Sequence, residues 1–455
     1  MFSNRLPAIC LGLACVVWGS AESVLAGEDP PATTLEALVS EALQRNPDIL
    51  EAQAALEAAR ERPTQAGALD DPSIGIVYTN DGWTPSLGRE DMTTLAVMGS
   101  QALPYPGKRE LRRRIASADA DLATADLERA RRAIAASVAR AYWNLTLARG
   151  LESLALEKRE LWQRVGETAN ALYAAGPGGQ LDVFQAQAEA ARVEEERVGL
   201  ATDARLRQAE INRLLTRELD TPVATPAVPA FVEEPRILAA ITAAAEATVP
   251  EVAAAAVAVE RNRLAVALAR RQSRPDFAVQ GAYMNRGGLP PMWQAGITAS
   301  FPVRRARRRA SVAEAEARLR QAESRVESLG LTLRLRMEER TARLGAIERI
   351  ASIYRDTLVP QRRLATDSAL ATYSAGVGSQ VAVLATLNAL IADRAEYVRL
   401  LARHALGRVA LEEAALEPDS DGAMERAPSR MAEPRMVPLS PPGAGSMATS
   451  PTEER

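Results

Sequence analysis

Apolar and small residues recur at spacings of three and four along two long stretches of this chain. In the first they fall at 111, 115, 118, 122 and 125 and then, after one slip, at 130, 134, 138, 141, 145 and 148. That period marks one face of an α-helix, and no proline interrupts residues 108–173. At 1.5 Å per residue the stretch predicts a rod of about 100 Å, far longer than a helix in an ordinary globular domain. Residues 304–373 repeat the pattern, with Pro360 as the expected kink. Shorter helical stretches follow each rod, at 180–216 and 380–415. Residues 33–62 and 236–273 are expected to stack end to end with them and cover the remaining length.

A second period, of two, appears ahead of each rod. In residues 275–285 Phe277, Val279, Gly281 and Tyr283 alternate with Ala278, Gln280, Ala282 and Met284. In residues 292–302 Trp293, Ala295, Ile297, Ala299 and Phe301 alternate with Gln294, Gly296, Thr298 and Ser300. Alternation of this kind predicts strands with one apolar face, joined as a hairpin around Asn285 to Pro291. The counterparts are residues 72–80, where Ile74, Ile76 and Tyr78 alternate clearly, and 93–102, whose apolar face the sequence leaves ambiguous. Strands of 9 to 11 residues with apolar exteriors and aromatic ends suit an outer-membrane barrel. Four strands cannot close one, and an open edge is not tolerated in lipid. Membrane-spanning strands here would therefore need several subunits.

The chain is thus read as two copies, 33–216 and 236–415, joined by a proline-rich connector at 217–235 and followed by a disordered tail at 416–455. Glycine-rich turns punctuate both. YAAGPGGQLDV at 173–183 and YSAGVGSQVAV at 373–383 align without a gap at an offset of 200, with six of eleven positions identical. Each is read as the tip of a long antiparallel helix pair.

Composition supports long helices over thick cores. Of 455 residues, 4% are aromatic and 25% charged, and the net charge of −3 points to no strongly basic or acidic partner. His404 is the single histidine, and both cysteines, Cys10 and Cys15, precede residue 27. A zinc cage or a Cys–His pair cannot be assembled from these in one subunit, and no catalytic, metal or cofactor site is assigned. His404 itself reads as a seam residue. GPGG at 176–179 lacks the Lys-Ser/Thr of a nucleotide loop. Residues 1–26 have the form of an export signal: Arg5, an apolar stretch from Leu6 to Trp18, and Val24-Leu25-Ala26 before Gly27. Lipoprotein processing at Cys15 is the alternative. No later apolar run is long enough for a transmembrane helix.

The duplicated architecture, the Asn46-Pro47 break, QALPYPGKRELR at 101–112, the paired Tyr-x-x-Gly tips and LDVFQAQAE at 181–189 together resemble the TolC family of outer-membrane efflux proteins. The similarity covers about Thr33 to Ala415, and LPYPGKR is most similar to the heavy-metal, CzcC-like branch. The resemblance implies a mainly α protein with membrane β structure. Its duplicated helical hairpins would form a periplasmic helical barrel, and its four strands would join a homotrimeric twelve-stranded barrel in outer-membrane lipid. It further implies a passive conduit for metal ions or small toxic compounds, meeting a periplasmic adaptor and an inner-membrane RND pump at its tips. A periplasmic coiled-coil adaptor or scaffold without a pore is the rival, although it should carry one hairpin flanked by compact β domains.

Several residues carry expectations beyond the architecture. Gly176, Gly178, Gly376 and Gly378 end helices, and their repetition suggests a shared adaptor-docking surface. Asp182, just past the first tip, is either a first-turn carboxylate favoured by the helix dipole or part of the tunnel mouth. The resemblance implies acids after the second tip, where this chain has Ala382 and Ala385. Tyr283, Trp293 and Phe301 are the candidates for a membrane-interface belt. Tyr142, Trp143 and Trp162 read as seam packing. The basic clusters Lys108-Arg109 with Arg112 to Arg114, and Arg304-Arg305 with Arg307 to Arg309, lie where a helix dipole opposes them. Acids such as Glu110 or anionic lipid headgroups would offset that charge, and nucleic acid is not expected for an exported chain.

Overall fold

The computed structural model describes residues 34–225 except 82 and 88, residues 249–414, and residue 416. The expected export signal, the connector from 226, residues 236–248 and the tail from 417 lie outside the described residues.

Helix α1 (Leu35–Arg45) starts from Thr34, whose hydroxyl accepts the Ala37 N–H at 3.3 Å. Asn46 separates it from α2 (Pro47–Gly67). Its side chain accepts the Asp48 N–H at 2.9 Å and donates to the Leu214 carbonyl at 3.0 Å. The proline after it stands at the start of the helix, where a missing N–H costs nothing. The Asn-Pro break is therefore a cap that also ties the first helices to the far end of the first hairpin.

Helix α3 (Lys108–Ala175) is a single rod of 68 residues, with left-handed glycines at both ends, and α4 (Gln180–Leu214) returns along it. In the second copy the order is α5 (Pro250–Arg271), α6 (Arg305–Ile353), one π turn (Tyr354–Leu358), α7 (Val359–Ser374) and α8 (Gln380–Glu413). The rod is continuous here too. At Pro360, the second residue of α7, the helix absorbs the missing N–H donor by widening in the turn before it.

The face predicted for the first third of α3 differs from the one observed. Ala116, Ala118, Ala120 and Leu127 are buried, while 111, 115, 122 and 125 are only partly covered. Helix α2 packs on this stretch from one side and α5 from another, so opposite faces of the rod are both occupied. From Ile134 onward the expected period holds, with Val138, Ala141, Leu145 and Ala148 buried. Tyr142 and Trp143 meet edge to face at 5.4 Å, and Trp162 is fully enclosed.

Strands β1 (Ser73–Thr79), β2 (Thr94–Leu103), β3 (Asp276–Arg286) and β4 (Leu289–Ser300) form one antiparallel sheet in chain order, so the two copies are joined at β2–β3. The second hairpin is tighter than expected. Its strands run to Arg286 and from Leu289, with Gly287 at φ 67° in the turn. Pro290 and Pro291 thus lie inside β4 at the register irregularity between Met284 and Arg286, where no ladder pair with β3 needs their donors. Strand β4 stops at Ser300, and Phe301 follows it.

Candidate tunnel mouth and membrane-facing sheet

At the far end of the hairpins the two tips share one construction. Gly176 and Gly376 adopt φ of 97° and 74°, a region that side chains resist. Gly178 and Gly378 are excluded from substitution differently: a Cβ would stand 2.7 Å and 2.8 Å from the backbone nitrogens of Tyr173 and Tyr373. The Gly178 and Gly378 N–H groups close the turns onto the carbonyls of Leu172 and Thr372 at 3.0 Å and 2.9 Å. The four predicted glycines are therefore turn-formers in both copies. Leu181, Val377 and Val381 expose apolar side chains around them.

The copies differ in what the tip touches. Tyr373 is buried, 3% exposed, against α3 and α4, and its hydroxyl donates to Asp182 Oδ2 at 3.4 Å. Gln380, also buried, donates from Nε2 to the Asp182 carbonyl at 2.7 Å. Burial, and then the Asp182 charge and hydrogen bond, push the Tyr373 hydroxyl up to about 12. The equivalent Tyr173 is 49% exposed and Gln180 is exposed as well. Asp182 is thus brought into a link between the two hairpins. Tyr373 and Gln380 have no functional expectation in the sequence, since both residues are repeated in the first copy. The available signal was the acid present at 182 and absent at 382.

Helix α8 lies in the groove between α3 and α4. Val383, Leu387 and Ile391 pack with Leu154, Trp162, Val165, Val183 and Val193. His404, further along α8, meets Glu348 at 3.1 Å in a helix seam. Among the described residues no group of three or more His, Cys, Asp or Glu could hold a metal ion.

At the opposite end, register decides which side chains share a face of the sheet. Ile76 pairs with Val97, Val97 with Tyr283, and Tyr283 with Trp293, so one apolar row crosses all four strands. Val279 and Ile297 pair two pleat repeats nearer the helices, and Phe277 and Leu103 pair beyond them. This assigns Leu95, Val97 and Leu103 to the apolar face of β2. Tyr283 and Trp293 stand together toward the β3–β4 turn. Phe301 lies past the end of β4 on the helix side, eight residues from Trp293. At about 3.4 Å per residue that is about 27 Å along the strand, close to the height of an apolar barrel band. Among the described residues no helix is long and apolar enough to cross a membrane.

Between sheet and rods sits a junction that the sequence did not disclose. Lys108 is 3% exposed, and its Nζ donates to Asp276 Oδ1 at 2.8 Å and the Arg274 carbonyl at 2.9 Å. Asp276 also accepts the Tyr105 N–H at 2.7 Å. The start of α3 in one copy is thereby fastened to the start of β3 in the other.

Comparison with known proteins agrees with this arrangement. Residues 38–217 match the family model described as Outer membrane efflux protein. The fold is that of several solved structures. VceC from Vibrio cholerae is 21% identical with a TM-score of 0.71, over 84% of this chain and 95% of that one. The outer-membrane channel OprN is 21% identical with a TM-score of 0.66, over 84% and 91%. The open state of the MtrE outer membrane channel of Neisseria gonorrhoeae is 18% identical with a TM-score of 0.70, over 84% and 88%. No curated protein sequence matches.

Proposed function

From the match of residues 38–217 to the outer membrane efflux protein family model, we propose that the chain belongs to that family and is the outer-membrane channel subunit of a tripartite, RND-type efflux system. It serves as a passive conduit for metal ions or small toxic compounds. The observation that carries this reading is the sheet: four strands, one apolar face, and two unpaired edges, β1 and β4. Unpaired backbone groups are intolerable in hydrocarbon. Edge β4 of one copy must then pair with β1 of the next, and three copies close a barrel of twelve strands in outer-membrane lipid. The helices support the same closure. Helix α8 fills the groove between α3 and α4 of its own chain, and the repeat relation would set α4 of a neighbour against α6, α7 and α8. Exposed Tyr173 and Gln180, the counterparts of buried Tyr373 and Gln380, belong to that second seam.

In this reading the rods form a periplasmic tunnel, and the Tyr373–Asp182 contact holds its mouth shut. The four tip glycines, with Leu181, Val377 and Val381, form the surface met by a periplasmic adaptor attached to an inner-membrane pump. The decisive experiment is fractionation with heating. The mature chain should be recovered from outer membranes as an oligomer that dissociates on a gel only after heating, and should conduct ions in a planar bilayer. A monomer that is soluble without detergent and silent in a bilayer would overturn the proposal and favour a pore-free periplasmic scaffold. Gly176→Val and Gly376→Val should assemble as oligomers yet abolish export; normal export from both would remove the tips from adaptor docking.

A further inference from the structure

The two copies enter their long helices through equivalent basic stretches and treat the charge differently. In the first, Lys108 is paired with Asp276, Arg109 donates to the Gly67 carbonyl at 2.6 Å, Arg113 meets Glu110 at 2.7 Å, and Arg114 lies 3.7 Å from Glu260. In the second, Arg304, Arg305, Arg307, Arg308 and Arg309 have no side-chain hydrogen bond or ion pair among the described residues. Helix α6 has no acid in its first turn and no side-chain cap. Its first acid, Glu314, is engaged by Arg318. Five cations thus crowd the positive end of a helix dipole, where each is disfavoured. Four are exposed and Arg308 is half-buried.

Their surroundings specify the counter-charge. Phe301 and Val303, 67% and 80% exposed, stand directly before the arginines and follow the strand whose apolar face carries Trp293 and Ile297. An apolar shelf beside a ring of guanidinium groups matches the boundary between acyl chains and phosphates, with arginine stems lying along the former. A neighbouring copy docked by the repeat relation would not supply the equivalent pair. The position of Lys108 is taken by Ala306, and that of Asp276 by Ser73. The acids that directly precede Ser73 are Asp70 and Asp71, two charges against five.

We propose that Phe301, Val303 and the five arginines from Arg304 to Arg309 form a binding surface for anionic phospholipid headgroups at the helix-side rim of the barrel. The inference rests on the membrane reading above. The test uses the full chain, purified as the heat-modifiable oligomer in neutral detergent, and measures retained lipid by native mass spectrometry. Cardiolipin should be retained and phosphatidylcholine should not. Inorganic phosphate at equal charge should fail to displace it, and salt of about 0.5 M should weaken it. Each arginine is worth about fivefold in affinity, so R304Q/R305Q/R307Q together should lose about 100-fold, while R113Q stays within about twofold. Equal retention of phosphatidylcholine, or of cardiolipin by the triple variant, would overturn the inference. So would D70N/D71N and the arginine variant loosening the oligomer equally, which would assign the cluster to a subunit contact. If the triple variant does not fold, the headgroup and salt comparisons on the unaltered chain still decide. Failure to form any oligomer would instead refute the membrane reading.

Discussion

If the chain is the proposed channel, removing the Tyr373 hydroxyl should open its tunnel mouth, and the size of the effect follows from the geometry. The hydroxyl's separation of 3.4 Å from Asp182 Oδ2 exceeds the usual O–H···O range of about 2.5–3.0 Å, so the contact is a weak one. A hydrogen bond to a charged group is worth about 1.5–3 kcal/mol at good geometry, so about 1 kcal/mol is appropriate here. In the proposed trimer, three such contacts released together would amount to about 3 kcal/mol, or about 150-fold in the ratio of open to closed mouths. Tyr373→Phe keeps the ring in its buried site and leaves Asp182, which is only half-buried, free to bind water. Asp182→Ala is predicted to be more severe. It strands a buried hydroxyl without an acceptor, at about 1–3 kcal/mol for each contact. Single-channel recording in planar bilayers gives the open fraction directly. Unchanged open times in Tyr373→Phe, or a weaker effect in Asp182→Ala, would refute the assignment of this contact as the closing element. The Asp182→Ala recordings with and without divalent cations also test whether this carboxylate holds a blocking ion.

Alkaline pH should act through the same hydroxyl. A tyrosine held at about 12 in the closed tip and near 10 once exposed keeps the mouth shut fully below pH 10. That contribution is lost as pH rises from 10 through 12, so the open fraction should climb in that window and climb less in Tyr373→Phe. Lys108→Met should lower the unfolding free energy of the detergent-solubilised oligomer by about 2–3 kcal/mol, because the buried ammonium and its two bonds are removed while Asp276, 48% exposed, is rescued by water. Ile297→Arg, on the apolar face of β4, should cost about 2–4 kcal/mol near mid-membrane and deplete the heat-modifiable oligomer. Thr298→Arg, on the opposite face, should preserve the oligomer and alter its conductance.

The long rods and the tips were legible in the sequence because their rules are local. A period of 3.6 over some seventy residues admits only a helix, and two glycines at fixed spacing are demanded wherever a rod must reverse. The strands were legible where Phe277, Val279 and Tyr283 alternate with smaller residues. They were not legible in β2, where Gly99 and Gln101 fall on the apolar face and dilute the pattern. The alternating burial of Ala116, Ala118 and Ala120 escaped for a related reason: a period reports one partner surface, and this stretch has two. Lys108 and Asp276 are separated by 168 residues, so nothing but the fold pairs them, and each reads in isolation as one more surface charge.

The difference between the tips has a deeper cause than any of these. Duplication makes Tyr173 and Tyr373 equivalent in sequence, yet a chain holding two copies can bury only one of the two equivalent seams within itself. The seam inside the chain places Tyr373 and Gln380 on Asp182. The other leaves Tyr173 and Gln180 exposed, and in the proposed trimer a second chain would cover them, with Ala382 as the matching residue. Had the acid been kept in both copies, a closed ring of three chains would contain six such contacts; with it in one copy there are three. At about 1 kcal/mol each, that halving lowers the resistance to opening by about 3 kcal/mol, roughly two orders of magnitude in the closed-to-open ratio. Restoring the acid by Ala382→Asp should therefore make Tyr173 a second closing residue and shorten open times, whereas the same change combined with Tyr173→Phe should not. If Ala382→Asp leaves open times unchanged in an intact oligomer, the seams are not related by the repeat and the arrangement of subunits inferred from it is wrong.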